Sequence, residues 1–245
     1  MIMELSNRYI LDWFEGTHAV GLFSAGYKLG IFGLIVVMGF NMGWTPYFLK
    51  RIKEENAKIE FSYIASLFLG LLGFVVIIIS IWVPEIMRLN IGSNYLIGEN
   101  FWGAEKVAAI VLIGYFFFGT YVIQLPGVYA NELTNWIPMF RGIGAVTNIS
   151  LNIILIPKYG VLGSAWATVV AFLFMSLSVF IKLFNIYYVK YNWAALCYPV
   201  LFMLIIFFPI HSLVSRLIIA ICYVVGWYFL AINNNEKMMI KGLFS

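Results

Sequence analysis

The sequence predicts an all-α integral membrane protein with about seven transmembrane helices, and three observations support this fold class. Of the 245 residues, 63% are hydrophobic and only 11% are charged, whereas soluble domains carry about 25% charged residues. The mean hydropathy is +0.94, and a soluble globule of this size cannot bury so much apolar surface. Long apolar segments recur at the length of ~20 residues that a bilayer crossing requires. This composition excludes a soluble enzyme, a nucleic-acid-binding domain and a disordered chain.

Seven apolar segments of this length are separated by polar or turn-forming residues. The segments span residues 19–48, 61–83, 107–129, 136–156, 161–181, 193–210 and 213–232. Tryptophan and tyrosine residues cluster at the segment ends, as they do in the interfacial belts of membrane proteins. Between the fourth and fifth segments, the run from Pro157 to Gly160 contains two helix-breaking residues and predicts a tight turn.

The basic residues are distributed unequally between the two sides of the predicted membrane. Alternate loops place nine basic residues on one side and five on the other, with Lys28 inside a segment. The majority side carries Lys50, Arg51, Lys53, Lys58, Arg141, Lys182, Lys190, Lys237 and Lys241. Because basic loops stay in the cytoplasm, we expect a cytoplasmic C-terminus and a first segment that starts outside. No cleavable signal peptide is visible, and the first 14 residues resemble the closing turns of a helix, so either the charge count misleads or the chain lacks upstream helices.

Residues with catalytic or metal-binding chemistry are sparse and scattered. None of the eleven acidic residues lies in the core of an apolar segment, and both histidines lie at segment ends. Cys197 and Cys222 lie inside apolar runs, where cysteine packs as a small apolar side chain. We therefore expect no enzymatic activity, no metal site and no cofactor, although a site assembled from distant loops stays open as an alternative.

Two cations lie inside the apolar segments and are the first candidates for a functional role. At about 1.5 Å per residue, Lys28 lies roughly 13 Å and Arg141 about 7.5 Å beyond the start of its segment. A charge at this depth is costly and therefore indicates function. We expect Lys28 to face a cavity, whereas Arg141 either lines the same cavity or reaches back to the lipid headgroups.

A stripe of polar residues continues from Arg141 along the fourth segment. Its members fall within about 60° of one another at ~100° per residue. They are Arg141, Ala145, Asn148 and Asn152. A weaker stripe on the third segment includes Gln124. Together these side chains predict a cationic polar cavity for an anionic passenger, while asparagines that only join neighbouring helices are the alternative.

Five stretches of the sequence carry a resemblance to a known family. They are residues 7–9 (NRY), 19–29 (AVGLFSAGYKL), 44–48 (WTPYF), 130–152 and 156–168 (IPKYGVLGSAWAT). These stretches resemble the middle of bacterial polysaccharide and O-antigen flippases of the multidrug/oligosaccharidyl-lipid/polysaccharide exporter superfamily. The resemblance extends from residue 5 to about residue 192 and weakens in the last two segments. In one departure, Asn7 stands where relatives often have aspartate.

The resemblance implies a fold of two six-helix lobes around a central cavity, often followed by two extra helices. This chain is similar to the C-terminal half alone. Residues 1–16 would then be the remnant of a preceding helix and an outer loop, 17–189 the C-terminal lobe, and 190–245 two additional helices with a cytoplasmic tail. On one lobe alone, we expect the polar stripe of the fourth segment to face lipid, where unsatisfied polar groups are costly.

The resemblance also implies an activity, which is the movement of undecaprenyl-pyrophosphate-linked oligosaccharide across the bacterial cytoplasmic membrane during polysaccharide or lipopolysaccharide biosynthesis. The mechanism would be alternating access. Expected partners are this lipid-linked anionic oligosaccharide, membrane lipids, and an N-terminal lobe or a second copy, but no nucleic acid. The candidate passage residues are Arg8, Lys28, Gln124, Arg141, Asn148 and Asn152.

Two other interpretations of the sequence stay open beside the flippase. One is a membrane-embedded glycan polymerase, ligase or acyltransferase, although the predicted outer loop of residues 84–105 is small for a catalytic module. The other is a truncated membrane protein that transports nothing.

Overall fold

The computed structural model describes residues 2–91, 94–95, 97–208 and 212–243, and these are mostly helical. The helices are α1 (Ile2–Arg51), α2 (Ala57–Met87), α3 (Glu105–Val122), α4 (Leu125–Ala130), α5 (Ile137–Leu183), α6 (Trp193–Met203), α7 (Leu213–Gly226) and α8 (Asn234–Leu243). One short antiparallel pair follows α2 and consists of β1 (Asn90–Ile91) and β2 (Asn94–Tyr95). Single helical turns lie at Glu99–Ala104, Leu133–Trp136, Leu204–Phe207 and Trp227–Ala231.

Five helical stretches of the described chain are long and apolar enough to cross a membrane. They are Met3–Arg51, Ala57–Met87, Glu99–Ala130, Leu133–Leu183 and Leu213–Ala231. The prediction of a helical membrane protein is confirmed at this level. The sixth predicted segment is helical over Trp193–Phe207, which is roughly 22 Å and shorter than the ~30 Å hydrocarbon core of a bilayer. Its last two predicted residues, 209 and 210, lie outside the described residues.

Helix α1 doubles back on itself at Gly16. The φ of Gly16 is 78°, a value that glycine adopts without steric cost. In a straight helix, Glu4 and Tyr27 would lie roughly 34 Å apart, yet both line the same cavity. Residues 17–51 therefore run back alongside residues 2–15.

Helix α5 doubles back in the same way at Gly160, whose φ is 55°. Asn148 Nδ2 donates to Thr168 Oγ1 at 3.4 Å, so the arm before Gly160 (residues 137–159) packs beside the arm after it (residues 161–183). The predicted tight turn is therefore present, but the helix continues through Tyr159 and the reversal falls on one glycine. A side chain on Gly160 would contact the Glu15 carboxylate, so the two reversals lie at the same end of the molecule.

Helix α3 forms the centre of the packing and contacts α1, α2 and α5. Gly30 of α1 makes one of these contacts close, because a Cβ at this position would approach Val111 to 2.5 Å. On the other side, α2 also packs against α6 and α7. This arrangement leaves one large cavity on the side of α1 and α5 and places smaller ones around α2.

Candidate functional site

A cavity of about 640 Å³ lies between both parts of α1, helix α3 and both arms of α5. Most of its wall is apolar or aromatic, with side chains such as Leu34, Phe118 and Phe172. Its polar members are Glu4, Asn7, Tyr27, Tyr115, Arg141 and Thr168. The hydroxyl of Tyr115 donates to that of Tyr27 at 2.7 Å, which ties α3 to α1 at the cavity wall. The cavity therefore combines an apolar surface with a few fixed polar groups, as ligand sites do.

Arg141 supplies the available positive charge of this cavity. Its side chain is exposed and forms no ion pair with any of the described residues. It interacts with the buried hydroxyl of Tyr121. The acid of the cavity, Glu4, is already paired, because Arg8 Nη2 lies 2.9 Å from Glu4 Oε1. Arg141 is thus placed to bind an anion that enters the cavity.

The cavity occupies the part of the molecule remote from the two glycine reversals. Along α5, Thr168 lies roughly 12 Å from Gly160, whereas Arg141 lies roughly 28 Å from it. Pro138, in the first turn of α5, is also part of the wall. Arg141 therefore lies near the end of the cavity that is farther from the reversals.

A fully buried polar network forms the other end of the cavity wall. Asn7, Asn148 and Asn152 all have 0% exposure. Asn152 Nδ2 donates to Asn7 Oδ1 at 2.7 Å and to Asn148 Oδ1 at 3.1 Å, while Asn7 Nδ2 donates to Thr168 Oγ1 at 3.0 Å. Ser6 Oγ also donates to Asn148 Oδ1 at 3.2 Å. The network joins the first part of α1 to both arms of α5.

This network corrects the expectation that the whole stripe of the fourth segment faces lipid. Arg141 and Ala145 line the cavity, but Asn148 and Asn152 are covered within the chain by Asn7. The expectation was wrong for the two asparagines because residues 2–15 fold back over them. Their observed role is to join helices, which was the alternative interpretation.

Lys28 lies next to the cavity without lining it. Tyr27 and Ile31 of the same helix face the cavity, whereas Lys28 is exposed on an adjacent stripe with Phe32 and Ile35. The structure therefore does not bring Lys28 and Arg141 together on one wall.

Gln124 belongs to a different part of the fold. Its side chain is buried, and its Nε2 donates to Thr120 O at 2.7 Å and to Ser176 Oγ at 2.8 Å. It lines a separate cavity of about 110 Å³ bounded by residues of α2, α3, α5 and α6. Gln124 therefore does not contribute to the cavity of Arg141.

Sequence reasoning missed four polar members of the site, namely Glu4, Tyr27, Tyr115 and Thr168, and noted Asn7 only as a departure from a motif. One pattern in the sequence could have indicated that Asn7 and Thr168 lie close together. Asn7 and Thr168 lie at nearly equal distances from Gly16 and Gly160, on opposite arms of the two reversals. If both glycines are read as reversals, the two polar side chains fall at the same depth.

Comparisons of the chain with protein-family models, with curated proteins and with solved structures find no match. Within the described residues, no group of three or more His, Cys, Asp or Glu side chains is placed to hold a metal ion. The functional interpretation therefore depends on the geometry of the cavity and on its charges.

Proposed function

We propose that this chain forms one lobe of a bacterial membrane flippase that moves undecaprenyl-pyrophosphate-linked oligosaccharide from the cytoplasmic to the outer leaflet. The observation that carries the proposal is the cavity of about 640 Å³ with the unpaired guanidinium of Arg141 in an otherwise largely apolar wall. A pyrophosphate is a dense anion for which a guanidinium is a strong hydrogen-bonding partner. The apolar wall suits the polyprenyl part of the same molecule.

In this proposal the chain crosses the membrane seven times. The two arms of α5 count as separate crossings because each follows or precedes the reversal at Gly160. The stretch Trp193–Phe207 belongs to the sixth crossing. The excess of basic residues supports a cytoplasmic C-terminus and places both glycine reversals outside.

With this orientation, the end of the cavity marked by Arg141 is the end nearer the cytoplasm, where the passenger is made. Arg141 would take the pyrophosphate first, because its side chain is exposed and unpaired. Arg8 supports this role indirectly, since it holds Glu4 in an ion pair and so weakens the competition of that carboxylate for Arg141.

The buried asparagines and Lys28 have different roles in the same proposal. Asn148 and Asn152 hold the cavity wall rigid through Asn7 and do not contact the passenger. Lys28 lies on the exposed face of α1 that an N-terminal lobe, or a second copy of the chain, would cover. Alternating access would then be a rocking of this lobe against the second one.

Binding of two matched lipids to the purified chain tests the proposal. Undecaprenyl pyrophosphate and undecaprenol share the polyprenyl chain and differ in the anion. We expect Arg141→Met to weaken binding of the pyrophosphate about tenfold, the effect of one lost charge-assisted contact, and to leave undecaprenol unchanged. Lys158→Met, which alters an exposed lysine near the opposite end, is the control. Equal binding of the two lipids by the wild-type chain would refute the proposal.

A second measurement separates anion binding from simple membrane anchoring of Arg141. If Arg141 only reaches toward headgroups, Arg141→Lys keeps the charge and the preference for the pyrophosphate stays unchanged. If two guanidinium nitrogens bind the passenger, Arg141→Lys loses part of that preference, because an ammonium lacks the planar fork.

A further inference from the structure

A second charged cavity, of about 360 Å³, lies at the end of the molecule remote from Arg141. It is bounded by the end of α2, the start of α3, the turn after α6 and the start of α7. Its polar members are Ser80, Glu85, Arg88, Glu105, Lys106 and Arg216. Four ends of apolar helical stretches meet here, so the cavity lies at the level of a membrane interface.

One side of this cavity contains a buried arginine that is held by an acid. Arg216 is 5% exposed and its Nη2 donates to Glu85 Oε1. Its guanidinium also lies over the ring of Trp82, 5.1 Å from the centroid. The second oxygen of the carboxylate, Glu85 Oε2, is buried and has no hydrogen-bond partner among the described residues.

The opposite side contains a second ion pair and one lysine outside it. Arg88 Nη2 lies 3.5 Å from Glu105 Oε2, and its guanidinium lies over the ring of Trp102. Lys106 is exposed and forms no ion pair within the described part of the chain. Among the described lining residues, the two ion pairs balance each other and Lys106 adds one positive charge.

Ser80 adds a second acceptor without a donor. Its side chain is 6% exposed, and its Oγ has no partner in the described structure. A serine inside a helix usually bonds to the carbonyl of the preceding turn, and Ser66 of the same helix does so, with Oγ donating to Ser62 O at 3.1 Å. The Ser80 side chain instead lines the polar cavity, and an unsatisfied buried group is costly.

Two kinds of polar group in this cavity therefore lack a partner among the described residues, namely hydrogen-bonding oxygens and one cation. Glu85 Oε2 can accept a hydrogen bond, Ser80 Oγ can accept or donate one, and the Lys106 ammonium can pair with an anion, while none of the three has a partner in the described part of the chain. Phe207 and Phe208, which are 50% and 67% exposed, form an apolar edge of the same cavity. A ligand that meets all these conditions carries a primary ammonium, a phosphate and an acyl chain.

We propose that this cavity binds the headgroup of an aminophospholipid of the phosphatidylethanolamine type. The ammonium donates to Glu85 Oε2 and Ser80 Oγ, the phosphate pairs with Lys106, and the acyl chains lie against Phe207 and Phe208. The site is independent of the flippase function and requires only that the chain lies in a membrane.

Competition between lipids in native mass spectrometry of the purified chain tests this proposal. Phosphatidylcholine has the same phosphate and charge but no N–H, and phosphatidylglycerol lacks the ammonium. We expect phosphatidylethanolamine to be retained about tenfold over phosphatidylcholine, as two hydrogen bonds are lost with the methylated headgroup. Soluble phosphoethanolamine, which lacks the acyl chains, is expected to compete poorly.

Two pairs of variants assign the contacts. Ser80→Ala should lower the preference for phosphatidylethanolamine over phosphatidylcholine about fivefold, while Ser66→Ala, which alters a bonded serine of the same helix, should not change it. Lys106→Gln should weaken the binding of both lipids equally, because both carry the phosphate. Lys158→Gln should leave the binding of both lipids unchanged.

The proposal is overturned if the wild-type chain retains phosphatidylethanolamine and phosphatidylcholine equally, or if it prefers phosphatidylglycerol. An unchanged preference in Ser80→Ala would overturn the placement of the ammonium. Competition by soluble phosphoethanolamine as strong as that of the lipid would show a soluble ligand and overturn the lipid assignment. The wild-type competition decides the matter even where a variant does not accumulate.

Discussion

The hydrogen bond between Asn7 and Asn152 is one of the contacts that hold the first part of α1 against α5, and its removal has a defined cost. Asn152 Nδ2 donates to Asn7 Oδ1 at 2.7 Å, and both side chains are completely buried. We consider Asn7→Ala, Asn152→Ala and the double variant. Each single change leaves the other amide without this partner in a site that water does not reach.

The magnitude follows from the burial of the two amides. A buried group that loses its partner costs about 1–3 kcal/mol, so each single variant should lower the free energy of unfolding by about 2 kcal/mol. The double variant should lower the free energy of unfolding by less than the sum of the two single variants, because the bond is removed only once. Side-chain hydrogen bonds between membrane helices couple by about 0.6 kcal/mol on average and by up to ~1.7. We expect about 1 kcal/mol here, because the bond is short and closed to solvent.

A double-mutant cycle measured by reversible unfolding in mixed micelles checks this prediction. A second cycle, in which Asn131→Ala is used in place of Asn7→Ala, is the control. Asn131 Nδ2 donates to Gly127 O of the adjoining helix α4 at 2.8 Å. Asn131→Ala should cost less, and its coupling to Asn152→Ala should be close to zero. A coupling energy between Asn7 and Asn152 no larger than that of the control would refute the view that this bond joins the two helices.

Two further predictions concern the reversal of α5 and the orientation of the chain. Gly160→Ala should destabilise the protein by about 1–3 kcal/mol, because any residue other than glycine is strained at this φ of 55°. Gly142→Ala, at a helical position with nothing within 4 Å of the new methyl group, should be neutral or stabilising in thermal unfolding. In a background without the two native cysteines, an impermeant maleimide added to intact cells should label a cysteine at Lys158 and not one at Lys53. Labelling at Lys53 would contradict the orientation.

The composition was sufficient to predict a helical membrane protein. The free energy of transferring a side chain into lipid depends mainly on that side chain. A sum of these free energies along the sequence therefore identifies apolar helical segments before any packing is known. The reversal near Pro157 and Gly160 was also predictable, because a positive φ is a local property that favours glycine. The reversal at Gly16 has the same cause, but no proline accompanies it, and only an outer loop within residues 1–16 was expected there.

The candidate site was predicted only in part. Lys28 and Arg141 look alike in the sequence, since each is a single cation in an apolar segment. Helical periodicity relates residues within one helix, and it does not tell which side of that helix meets a neighbour. The structure places Arg141 on the cavity wall and Lys28 beside it. The reason is that the face of α1 with Tyr27 and the face of α5 with Ala145 both line the cavity, whereas Lys28 lies on another face of α1.

The sequence by itself determined the apolar, helical character of the chain and the turn near Gly160, because these follow from single residues and their immediate neighbours. Only the tertiary structure decided which polar groups satisfy one another. Asn7 and Asn152 are 145 positions apart, and their contact depends on the angle of two reversals and on the depth at which α1 packs. The same packing leaves Ser80 Oγ and Glu85 Oε2 without donors, since a local pattern specifies a side chain but not the partner that meets it.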